Sequence, residues 1–155
     1  MDDFFELISS NQETGLVETL VKCNGLTKRY GLSLTVEEAH EVCVARREDL
    51  KELGRVEFGE SILPKIIEGF CDSAYIYQDN YVEMLCGLQE IFYLYKNESL
   101  DEWTDEELLH YMKESFEGEC QGSLEFLEET AMERLAREAR KHTRLSLSRE
   151  GETNE

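Results

Sequence analysis

The sequence predicts an all-α protein of about six helices. One proline stands against ten glycines in 155 residues, and a third of the chain is charged, a balance that favours long helices over many-turned β structure. Apolar residues recur three and four apart through most of the chain, and Ser or Thr stands at the head of several of these runs, where helices are capped. With 41% hydrophobic residues the chain can bury a core despite its charge. A single domain over residues 1–145 is expected, with a flexible tail over 146–155.

Residues 2–9 place Phe4, Phe5, Leu7 and Ile8 in a short amphipathic turn or two. Thr14 then caps a helix carrying Leu16, Leu20, Cys23 and Tyr30 on one side, with Gly25 as an interruption and Gly31 as the stop. Thr35 and Glu38 form a capping box for the second helix, and Gly54 occupies its C-terminal left-handed position. Its apolar stripe runs through Val36, Ala39, Val42, Cys43, Leu50 and Leu53. The segment 54–60 reads as a short extended loop. Ser61 caps the next helix, with Pro64 in the first turn, where a missing amide costs nothing. From Gln78 to Asn97 the chain is apolar on most sides, which marks a central helix. Thr104 with Glu107 opens another helix to about Gly118, and Ser123 opens the last, to about Arg144.

A formal charge of −19 argues against general affinity for nucleic acid or an anionic membrane. The start MDDFFELISS carries acids where a secretory signal carries bases, and no run approaches the roughly 18 apolar residues of a membrane span. Five cysteines, an odd number spaced 15 or more apart, suit reduced thiols packed in a core. The expected location is the cytoplasm. The charge is uneven, because residues 134–155 carry six bases against four acids.

Two Glu-x-x-His pairs, Glu37 with His40 and Glu107 with His110, are the metal candidates, since di-iron bundles use such pairs on two helices. Their wheels argue against them: Glu37 lies about 160° and His40 about 100° from the centre of its helix's apolar stripe, and acids favour first turns for the dipole alone. No metal and no cofactor is expected. Arg46 lies within about 20° of the same stripe's centre and so needs a partner. Either its stem lies along the core with the guanidinium reaching out to water, or it pairs with a buried carboxylate such as Glu57 or Glu60, or else Arg46, Arg47 and Arg55 build an anion site. Cys71 is the best-placed thiol, but its neighbour Asp72 and the helix end both disfavour a thiolate. No phosphate-cradling loop and no nucleophile elbow is present. Tyr75, Tyr77 and Tyr81 crowd the approach to the central helix, where they form either a half-buried lid or an interaction surface.

The segments GRVEFG and FCDS-Y-I, within residues 54–99, resemble a family of small acidic proteins from anaerobic, Firmicutes-type bacteria known only as a domain of unknown function. The resemblance extends from about Tyr30 to Leu135 and departs at Ala74, where proline is expected. It implies a bacterial cytoplasmic protein and carries no catalytic or binding residues. The residues themselves favour a non-enzymatic protein-interaction or regulatory module whose partner is another protein or a second copy. The alternative is a small-ligand or metal-binding bundle, and a third reading is mimicry of DNA by the acidic surface.

Overall fold

A computed structural model of the chain describes residues 13–57, 59–99 and 101–141. The expected turn at 2–9, the tail at 146–155 and the end of the last helix near Arg144 lie outside the described residues. Among them the protein is all-α, with six helices and no strand. No described helix is long and apolar enough to cross a membrane. The chain divides into two compact units, Met1–Glu90 and Ile91–Glu155.

The first unit holds α1 (13–22), α2 (Val36–Leu53), α3 (Leu63–Phe70) and the opening half of α4 (Tyr81–Glu98). α1 already includes Glu13, so Thr14 lies inside the helix rather than at its cap. The helix breaks at Cys23, and a short turn Asn24–Thr27 and a 3-10 turn Lys28–Tyr30 follow. Just past the break the Asn24 side chain donates to the Leu34 carbonyl and accepts from the Leu34 amide, each at 2.8 Å. Gly31 ends the segment at φ 76°, a conformation that costs glycine nothing.

α2 opens on the expected capping box: the Glu38 amide donates to the Thr35 hydroxyl at 3.1 Å and the Thr35 amide to the Glu38 carboxylate at 2.9 Å. It closes on Gly54 at φ 64°, with the Gly54 and Arg55 amides donating to the carbonyls of Lys51 and Leu50. The cap of α3 is Ile62 rather than Ser61. Ser61 still serves, its hydroxyl accepting from the Leu63 amide at 3.2 Å. Leu20, Ala39, Val42, Ile66, Ile67, Phe70, Leu85 and Leu88 are buried, and Gln89 joins them by donating to the Val42 carbonyl at 3.1 Å. Val36, first on the predicted stripe, is instead 59% exposed.

The second unit contains the rest of α4, α5 (Asp105–Glu117) and α6, which starts at Leu124 and continues to residue 141. Thr104 with Glu107 and Ser123 cap these helices as expected. Inside α6 the residues Leu127–Met132 form a π-helical turn that the sequence pattern does not announce. Two tyrosine hydroxyls reach it, Tyr95 donating to the Glu128 carbonyl and Tyr111 to the Ala131 carbonyl, both at 2.8 Å. Buried Lys96 donates to the Trp103 carbonyl at 2.7 Å and pairs with Asp105 at 2.9 Å.

Candidate functional site

The most constrained surface in the first unit is the loop 71–80. α3 ends at Phe70, and the Ser73 amide donates back to the Phe70 carbonyl at 3.1 Å. Ile76 turns inward and is buried, which forces its neighbours outward. Asn80 fixes the main chain between them: its Oδ1 accepts from the Tyr77 amide at 2.8 Å and its Nδ2 donates to the Tyr75 carbonyl at 3.1 Å. Gln78 clasps a second segment, accepting from the Ser33 amide at 2.8 Å and donating to the Ser33 carbonyl at 3.0 Å. The result is a braced loop that presents Tyr75, 36% exposed, and Tyr77, 58% exposed. Tyr81, grouped with them from sequence, is only 2% exposed and belongs to the core.

A groove of about 900 Å³ runs along α1 and α2. Its walls are residues four apart, which stack on one helix face. Val17 and Val21 lie beside Glu18 and Lys22 on α1, while Val36 and His40 lie beside Glu37 and Glu41 on α2. Glu13, at one end, accepts from Arg47 at 2.8 Å.

The arginine cluster resolves into pairs. Arg46 Nε donates to Glu57 Oε1 at 2.8 Å and a second guanidinium nitrogen lies 2.7 Å from the same oxygen. Glu57 Oε2 accepts from the Ile62 amide at 3.1 Å, so one carboxylate both holds Arg46 and caps α3. Arg47 turns to Glu13, and Arg55 contributes its amide to the end of α2.

The Glu-x-x-His residues have separate local settings. Glu37 and His40 line the open groove. Glu107 serves the α5 capping box, and exposed His110 lies 3.0 Å from Glu114 one turn on. Among the described residues no three His, Cys, Asp or Glu side chains converge to hold a metal. All five cysteines are free thiols. Burial, with Glu13 as a lesser cause, pushes the Cys43 thiol up to about 11, and burial with Asp49, Glu41 and Glu90 does the same to Cys86, so neither is a thiolate at neutral pH.

Residues 19–145 match a family described as a family of unknown function, DUF6323. The chain belongs to this family. No curated protein and no solved structure matches it. The DUF6323 match spans α2 to α5 entire, and with them the braced loop, the Arg46–Glu57 pair and all of the groove's residues from α2.

Two of these features escape sequence reasoning. The groove depends on α1 and α2 lying side by side, and its one local signal is a valine, Val36, at a first-turn position followed by two acids. The bracing of the tyrosine loop depends on Gln78 reaching Ser33, 45 residues away. The Asn80 half of it has a readable signal, an Asn three residues after Tyr77 and just ahead of an apolar helix.

Proposed function

We propose that this protein is a non-enzymatic interaction module that binds another protein through the loop carrying Tyr75 and Tyr77. The observation that carries this reading is the bracing of that loop. Asn80 holds the main chain at Tyr75 and Tyr77, and Gln78 ties the loop to Ser33, while Tyr77 stays 58% and Tyr75 36% exposed. A surface whose backbone is already ordered loses little entropy on binding, and tyrosine supplies a large contact area with few rotatable bonds. The five free thiols suit action in the cytoplasm.

The test is co-purification from a cell extract by the full chain and by a Tyr75→Ala, Tyr77→Ala double variant, followed by rebinding with the purified partner. The reading expects a partner that rebinds the wild type and binds the variant on the order of tenfold or more weakly. Equal binding by both proteins would overturn it.

A further inference from the structure

We propose that the groove between α1 and α2 receives a basic, amphipathic helix of a partner protein. This goes beyond the tyrosine loop and concerns a separate surface of the same unit. The apolar part of the lining is Val17, Val21 and Val36, and the last of these leaves 59% of its surface in solvent although it is a β-branched apolar residue at the head of a helix. The rim is acidic: Glu18 on one side, Glu37 and Glu41 on the other. Glu13 is held by Arg47, so the three remaining carboxylates dominate the rim, with Lys22 at the end of the α1 wall.

The walls decide what shape of occupant fits. Both are faces of α-helices, whose amides and carbonyls are spent on their own ladders apart from the first-turn amides of α2. An extended peptide laid along them would find few main-chain partners and would bury unsatisfied groups. A helix satisfies its backbone internally and needs only side-chain contacts, so helix-in-groove recognition suits this surface and strand addition does not. From Glu13 to Lys22 the α1 wall runs about 14 Å, enough for two to three turns of an incoming helix. The charge then fixes the flanks: apolar residues three and four apart face the valines, with Lys or Arg on either side to meet the glutamates. The net charge of −19 adds long-range attraction for such a segment.

The experiment uses fluorescein-labelled peptides of about 14 residues and the full-length protein in about 0.15 M salt, read by fluorescence anisotropy. One peptide carries Leu at helical spacing among Lys residues, and a second has the same composition with its Leu residues scattered round the wheel. The patterned peptide should bind on the order of tenfold more tightly than the scattered one. Val36→Asp, at an exposed position that the fold does not need, should remove that advantage, whereas Tyr77→Ala should leave it intact. Equal affinity for the two peptides, no binding by either, or an advantage that survives Val36→Asp would overturn the proposal. An advantage lost in Tyr77→Ala would place the peptide on the tyrosine loop and overturn it as well.

Discussion

Arg46 and Glu57 form an ion pair at 2.7 Å that ties the middle of α2 to the loop ahead of α3. The second oxygen of Glu57 takes the Ile62 amide at 3.1 Å, so one side chain anchors a loop and caps a helix together. Both side chains are largely buried, and removing either leaves the other's charge poorly solvated.

Glu57→Ala should therefore cost about 2 kcal/mol of stability, from a charge-assisted hydrogen bond lost together with a helix cap. Glu57→Gln, which keeps an acceptor and the shape, should cost less than the alanine variant. Urea denaturation of the three proteins checks both statements, and an alanine variant as stable as the wild type would contradict them.

The π-helical turn in α6 rests on two tyrosines. Tyr95→Phe and Tyr111→Phe each delete one hydroxyl that donates to a carbonyl in that turn, at 2.8 Å in both cases. Each variant should lose about 1 kcal/mol. Because both bonds hold the same turn, the double variant should depart from the sum of the singles, which a double-mutant cycle in urea measures.

Asp49 gives the protein a pH-dependent weakness. Burial first, and then the carboxylates of Glu90, Glu52 and Glu48, push its carboxyl up to about 6. An unfolded chain holds an aspartate near about 3.9, so below that pH both states keep the proton and no penalty exists. As pH rises through 4 to 6 or so, the unfolded state ionises first, and the folded state loses stability until its own proton leaves. Asp49→Asn removes this effect. Melting temperatures of wild type and variant from about pH 4.5 to 8 should show the variant's advantage growing up to about pH 6 and levelling off above it. A difference that stays constant over that range would contradict the assignment.

The tyrosine loop should separate stability from binding. Tyr77→Ala changes an exposed ring and should alter stability by no more than about 0.5 kcal/mol. Asn80→Ala removes both main-chain braces and should cost about 1–2 kcal/mol while also weakening the partner complex, because the loop then pays for its own ordering. Thermal melts and affinity for the purified partner read the two effects separately.

What the sequence makes legible follows the range of the interaction. Thr35 with Glu38, Thr104 with Glu107, Ser123 and Gly54 act on residues a few positions away, and all four stand where local rules put them. For Arg46 the apolar stripe left a solvent-reaching stem, Glu57, Glu60 and an anion site all open, and Glu57, eleven residues on, is the carboxylate found beside it. The clasp of Asn24 on Leu34 was not legible, because it spans ten residues and an intervening turn. The burial of Tyr81 follows the apolar spacing of its helix and separates it from Tyr75 and Tyr77, whereas the exposure of Val36 runs against one-dimensional patterning, since it depends on which helix lies alongside. The π turn was illegible for the same reason, its supporting hydroxyls coming from Tyr95 and Tyr111, 33 and 20 residues from the carbonyls they bond.

The most direct test of the interaction module is site-specific photo-crosslinking in cells, with p-benzoylphenylalanine placed at Tyr77 and, as a control, at exposed His110. The account predicts a discrete crosslinked species to one identifiable protein from position 77, absent from position 110 and lost when Asn80→Ala is added. No crosslink at 77, or the same adducts from both positions, would contradict it.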